Sequence, residues 1–280
     1  MRTLPKPTFS VEDVFQTSIS RVRNPALKTR LENCLSEVIQ DSTDYENKAS
    51  RAQLHLMPKK TIVNGNVTRL EMEKVYTSRM VPKDGPGRIY YEKLRYPTGS
   101  DKCPFCGQRP SSTLDHYLAK SDYPTIVVSP VNLVPACKDC NFVKNNSFPT
   151  KSEEETLHPY FDNIDNQQWL YGRVNQTSPP SISYFIDAPA YASTILTERV
   201  KYHFELYELG TLYASEAATE LSDIAYLINK LLRDAGSEAV QQHLEDIAES
   251  CAQHKKNSWK TAMYQALASN YWYCTEGSLI

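Results

Sequence analysis

The sequence predicts an α+β protein. A small ββα core with a four-cysteine zinc site lies embedded between N-terminal helices and a C-terminal helical bundle. Three observations point to this. Two Cys-x-x-Cys pairs, Cys103 with Cys106 and Cys137 with Cys140, stand 30 residues apart. Around them, over 101–150, prolines and short β-type runs replace helical periodicity. On both sides of that stretch, apolar residues recur at helical spacing. The 280-residue chain therefore divides into a helical, basic region (1–100), the zinc-tied core (101–150), and a connector followed by an acidic helical domain (151–280).

Taken in order, Ser10 caps a helix whose broad apolar face is Val11, Val14, Ile19 and Val22, and Pro25 interrupts it. Leu27, Leu31, Cys34, Leu35 and Val38 mark a second helix. Residues 57–69 combine a proline, Asn64-Gly65 and β-branched residues, which suits a turn or short hairpin. Over 69–96 the cations Arg69, Lys74, Arg79, Lys83, Arg88, Lys93 and Arg95 interleave with tyrosines, and Asp84-Gly85-Pro86-Gly87 makes a turn. Thr113 to His116 reads as a short strand, Asn132 to Pro135 opens a second β-type piece, and Asn141 to Lys144 begins a helix. From 151 to 190, Pro159, Pro179, Pro180 and Pro189 predict an irregular connector. The last ~90 residues show four helical faces, beginning at Leu196, Leu221, Val240 and Trp259, with Gly236 as a stop between the second and third.

Composition narrows the class. With 40% hydrophobic residues, 18 Tyr and only 9 Gly, the chain is not disordered, collagen-like or of low complexity. No apolar run approaches the ~18 residues of a membrane span. The opening MRTLPKPTFSVEDVF lacks the apolar core of a signal peptide, so a cytoplasmic chain is expected. Thiols stay reduced there, and the seven cysteines point to metal binding or burial instead of disulfides. Cys34 and Cys251 read as core residues. The net charge of −2 hides an asymmetry: 17 basic against 11 acidic residues over 1–100, but 9 against 18 over 151–280. A polyanion, if bound, would face the front half, although two differently solvated surfaces explain the same counts.

Zinc prefers four soft ligands in a tetrahedron, and each Cys-x-x-Cys turn presents two thiolates from one knuckle. Gly107 relieves crowding as the chain leaves the first knuckle. Nothing around either pair has the βαβ pattern of a redox dithiol. Four thiolates leave no open position for water, so this zinc is expected to fold the segment and not to catalyse; apparent binding free energies of about 10–16 kcal/mol suffice for that.

From Cys103 to Lys144 the chain resembles the zinc-knuckle form of the HNH nuclease family, whose ββα-metal site is bracketed by such pairs. Four cysteines, Asp115-His116, Asn132 and the exit Cys140-Asn141-x-x-Lys144 occur in the family's order, over roughly 45 of 280 residues. The runs LDHYLAKSDYP and NLVPACKDCN, with LHPYFD at 157–162, are similar to the nuclease subunits of bacterial anti-phage systems of the Septu type (PtuB), which also serve as retron effectors.

The resemblance implies a metal-dependent endonuclease that hydrolyses phosphodiester bonds, with DNA the first expectation and an RNA such as tRNA the alternative. It implies an ABC/SMC-like ATPase partner (PtuA-like) and, in the retron form, a reverse transcriptase with its RNA–DNA. No membrane is expected. His116 is implied to be the general base, consistent with an unperturbed pKa of about 6.5. Asp115, on the opposite side of the strand, is implied to give a hard oxygen to a catalytic ion. Asn141 stands where many relatives have His, and its neutral amide oxygen favours Mg2+ or Mn2+. Asn132 is implied to pin the connecting loop and hold the imidazole. Lys144 could contact a phosphate, as could Lys120, Arg88, Lys93 and Arg95, with tyrosines of 69–96 stacking on bases. Each residue taken alone has a plain alternative: a satisfied histidine, a turn or cap asparagine, a solvated lysine, core tyrosines. His158 in His-Pro-Tyr-Phe-Asp is a further active-site candidate. A catalytically silent zinc module that binds nucleic acid or protein is the remaining alternative.

Overall fold

The computed structural model describes residues 2–97, 101–145, 149–190 and 192–277. The chain forms two compact units, Met1–Asp162 and Asn163–Ile280. The division expected at residue 100 is absent from this partition: the N-terminal helices and the cysteine-rich segment share one core.

In the first unit, α1 (Val11–Ile19) starts where the Ser10 hydroxyl accepts from the Asp13 amide, and α2 (Pro25–Glu32) has Asn24 as its cap and proline in its first turn. The sequence predicted one helix through Val38, but a second begins instead, α3 (Leu35–Ala49). The break at Asn33 and Cys34 re-aims the chain so that Leu31, Cys34 and Val38 all enter the same core, each fully buried. The expected hairpin is β1 (Ile62–Val63) with β2 (Val67–Thr68), turning through Asn64 and Gly65, both at positive φ. α4 (Arg69–Thr77) and α5 (Arg88–Arg95) follow, joined by the predicted turn.

The ββα segment packs against these helices. Strand β3 (Thr113–His116) pairs antiparallel with β4 (Leu133–Ala136), setting Asp115 opposite Val134 and His116 opposite Leu133. Helix α6 (Lys138–Lys144) then starts three residues earlier than expected, with Cys137 as its cap. Leu114, Val127, Val128 and Leu133 share one hydrophobic core with α1 and α3–α5. This shared core fixes the strand pair and its 117–132 connection against a helical frame. Polar ties reinforce the connection: Ser42 meets Ser129 at 2.8 Å, and the Thr125 hydroxyl donates to Asp41 at 2.6 Å.

The second unit corrects the expected irregular connector. β5 (Leu170–Asn175) and β6 (Ser181–Ile186) form an antiparallel hairpin. Pro179 and Pro180 lie in its turn, where a missing amide costs no ladder bond. Leu170, Val174, Ile182 and Tyr184 form its buried face. α7 (Thr194–Leu206), α8 (Leu209–His254) and α9 (Trp259–Ala268) complete the unit, with α8 packed on β6 and α9 on β5. The unit is thus helices on a hairpin and not helices alone. Gly236, at φ 85°, divides α8 at the predicted stop. Cys251 is only half-buried, against the expectation of a core residue; Cys34 meets that expectation. No helix among the described residues is long and apolar enough to cross a membrane.

One ion pair ties α2 to the start of α4. Arg30 donates to both carboxylate oxygens of Glu71 (2.5 and 3.1 Å), while Glu71 closes a capping box with Thr68. Hydrogen bonds from Arg30, then from the Thr68 amide, hold the Glu71 carboxyl down at about 2, below its ordinary 4.5. A depressed carboxyl stabilises the fold above its unfolded pKa, and that contribution disappears as pH falls through the folded value. Glu71→Gln should therefore lower the denaturation midpoint at neutral pH, and the gap to wild type should narrow as pH falls from about 4.5 toward 2; urea titrations across that range measure it.

Candidate functional site

The two cysteine knuckles converge. Cys103, Cys106, Cys137 and Cys140 are buried, with their sulfurs all within 4.8 Å of one another. A tetrahedral zinc with Zn–S bonds of about 2.3 Å sets sulfurs about 3.8 Å apart, so four buried thiols at this spacing fit such an ion. Backbone amides already point at two of the sulfurs: Arg109 N–H at Cys106 Sγ and Cys140 N–H at Cys137 Sγ, both at 3.4 Å. Such donors favour thiolate over thiol. Gly107 takes φ 69°, a left-handed conformation that a side chain would strain, and its amide bonds the Cys103 carbonyl at 2.7 Å. Arg109 reaches Asp139 at 2.9 Å, joining the first knuckle to α6 from outside.

Beside the knuckles a cleft of about 660 Å³ is lined by Asp115, His116, Lys120 and Asn141 among others. Strand alternation sends Asp115 and His116 in opposite directions, yet both reach this cleft and both are buried. The His116 ring has Nε2 at 2.9 Å from the Val127 carbonyl oxygen. A carbonyl only accepts, so Nε2 carries the proton and Nδ1 is the lone-pair nitrogen of the neutral ring. Tyr76 meets the same ring edge-on, with centroids 4.4 Å apart. Burial drives the His116 pKa down to about 3, assisted by Lys120 and Lys144 and opposed by the Val127 hydrogen bond. The imidazole is therefore neutral at physiological pH.

Asp115 has a cationic partner of its own. Lys144 Nζ lies 2.9 Å from Asp115 Oδ2 and donates to the His116 carbonyl at 2.7 Å. Burial raises the Asp115 carboxyl above its ordinary 3.8, and Lys144 acts against that rise. Asn141 lines the same cleft, so its amide oxygen and the Asp115 carboxylate are the hard oxygen donors available there.

Asn132 is fully buried, and its amide spans the connection. Oδ1 accepts from the Leu118 amide at 2.7 Å, while Nδ2 donates to the carbonyls of Leu118 (3.1 Å) and Ile126 (3.3 Å). It thereby holds the chain on both sides of the segment that brings Val127 to His116.

Several sequence expectations change here. Lys144 is not a surface cation for phosphate, since it is 4% exposed and turned to Asp115. Arg88 bonds the Val81 carbonyl and pairs with Glu92 one turn along, and neither it, Lys93 nor Arg95 lines the cleft. Tyr76 and Tyr91 are buried, so their rings are not free to stack on bases. His158 is 1% exposed; it accepts from the Tyr160 amide at Nδ1 and meets the Tyr45 hydroxyl at 2.9 Å through Nε2. It belongs to an aromatic nest and lines no part of the cleft. Lys120 does line it, as does Tyr76, and so do Lys138 and Phe142, the last two not singled out by the sequence for the site. The Val127 carbonyl was also unforeseen, because a backbone acceptor leaves no side-chain signal.

The fold and site define an α+β protein with a buried four-cysteine cluster able to hold zinc, beside a cleft lined by an acid, an imidazole and an amide. The chain is similar to Protein ea31 of Escherichia phage lambda, 29% identical over 292 aligned positions that cover 96% of this chain and 98% of that protein. No family model matches the chain, and no solved structure matches it.

Two outcomes follow. Cys103→Ala or Cys137→Ala should abolish zinc retention and unfold the 101–145 segment, read by metal analysis and protease sensitivity; one tightly bound zinc per wild-type chain is expected. Asn132→Ala strands the buried Leu118 amide, costing about 1–3 kcal/mol for that donor alone, and should speed amide hydrogen exchange in 117–132.

Proposed function

We propose that the protein is a metal-dependent endonuclease of the HNH type that hydrolyses nucleic-acid phosphodiester bonds, DNA first. The observation that carries this is the single cleft shared by Asp115, His116 and Asn141, with His116 fixed through Nε2 to a backbone carbonyl. That hydrogen bond orients the ring and leaves Nδ1 to take a proton from an attacking water. Burial leaves the imidazole unprotonated, with a lone pair on Nδ1, and at the same time makes the ring a weaker base than a solvated histidine. Asp115 and Asn141 would hold the catalytic Mg2+ or Mn2+, which supplies Lewis-acid stabilisation of charge on the scissile phosphate. Lys144 anchors the Asp115 carboxylate and the His116 backbone together, so the acid and the base keep one relative position. The thiolate-bound zinc, closed by four sulfurs, has a folding role in this scheme.

The partners belong to the same proposal. An ABC/SMC-like ATPase in an anti-phage assembly is the partner the Septu-type resemblance supplies, and the acidic 151–280 region, with 18 acidic against 9 basic residues, is the surface proposed to meet it.

Removing a positioned general base typically costs 10²- to 10⁴-fold in rate. His116→Ala should lose cleavage by about that factor with Mg2+ or Mn2+, at unchanged zinc content. Gel assays of wild type and variant on plasmid DNA, single-stranded DNA and tRNA, with and without the ATPase, make the comparison. Equal cutting by both proteins would eliminate His116 as the base, and no cutting by wild type under any of these conditions would eliminate the nuclease reading.

A further inference from the structure

We propose that Phe142 is a stacking platform for an unpaired nucleobase next to the scissile phosphate, so that the substrate is cut where its bases are unstacked. The inference rests on the nuclease reading above and specifies its substrate.

Phe142 is 83% exposed, on the outer side of α6, whose buried residues are Cys140 and Lys144. Single exposed apolar residues are common on protein surfaces and need no explanation; position sets this one apart. Phe142 lines the cleft that holds Asp115, His116 and Asn141, and Asn141 directly precedes it in the helix. Lys120 and Lys138 line the same cleft, and among the described residues neither forms an ion pair. A cleft that combines two cations with one uncovered aromatic face matches a nucleotide: phosphate toward the lysines, base against the ring. The cleft's other aromatics cannot take this part, because Tyr76 and Tyr91 are only 7% and 6% exposed and pack inward. A base inside an intact duplex has both faces covered by its neighbours, so it could meet Phe142 only after leaving the stack. Single strands, loops and nicked or frayed ends present such bases without that cost.

The test uses full-length protein with Mg2+ and a cleavage position mapped by wild type. Base–aromatic stacking corresponds to roughly a 5- to 150-fold effect per base. Phe142→Ala should lower kcat/KM on single-stranded DNA by that range, and Phe142→Trp should restore it. 2-Aminopurine placed beside the cut in a single-stranded oligonucleotide should lose fluorescence on binding the His116→Ala protein, and this quench should vanish in the double variant with Phe142→Ala. Retained zinc in every variant shows that the fold is intact, as expected for a side chain this exposed. Undiminished cutting by Phe142→Ala, or a quench that survives the substitution, overturns the inference whatever else covers the ring. No cutting by wild type on any of these substrates would instead overturn the nuclease reading, so the two failures are distinguishable.

Discussion

The convergence of four cysteine sulfurs within 4.8 Å is the constraint on which the candidate site depends. Cys103 and Cys106 precede β3, while Cys137 and Cys140 sit at the start of α6. Tying them together closes a loop that contains both strands and their connection. A four-residue strand pair is too short to be stable by itself in water. Here it is held at one end by the knuckles and on its flank by a core shared with the N-terminal helices. The geometry of Asp115 and His116 follows from that double attachment.

Inside this frame the polar groups are few and mutually dependent. Asn132 braces the 117–132 connection, the connection delivers the Val127 carbonyl, and that carbonyl fixes the tautomer of His116. Lys144 compensates Asp115 from the buried side. A buried ion pair adds little net stability, but removing one partner leaves an uncompensated charge. These groups therefore behave as one unit, and substitutions among them are expected to couple.

The split into two units bears on how such a site would be used. All cleft-lining residues belong to Met1–Asp162, so the candidate site is built within the first unit. That unit is built separately around the β5–β6 hairpin and α8–α9, with Asn257 bracing the start of β5 through the amides of Trp169 and Leu170. A separate, acidic, independently packed unit suits recognition of a partner, the role given to it above.

Local signals determined a good deal of this protein. Cysteine spacing, the cap at Ser10, the Asn64-Gly65 turn and the Gly236 break each act over a few residues, and each was recovered at its place. The resemblance named Asp115, His116, Asn132 and Asn141 together; Asp115, His116 and Asn141 line one cleft, while Asn132 bonds the backbone of the connection instead. The prolines near 179 misled, since a breaker inside a strand and a proline in a hairpin turn look alike in one dimension. Lys144 misled as well: a lysine at a helix end is ordinarily solvated, and only the fold sets Asp115 within 2.9 Å of it. What tertiary structure alone decided are contacts between residues far apart in the chain, Tyr76 on His116 and the burial of 113–133 against α1 and α3–α5. Periodicity records which face of an element is apolar, but not which distant element covers it.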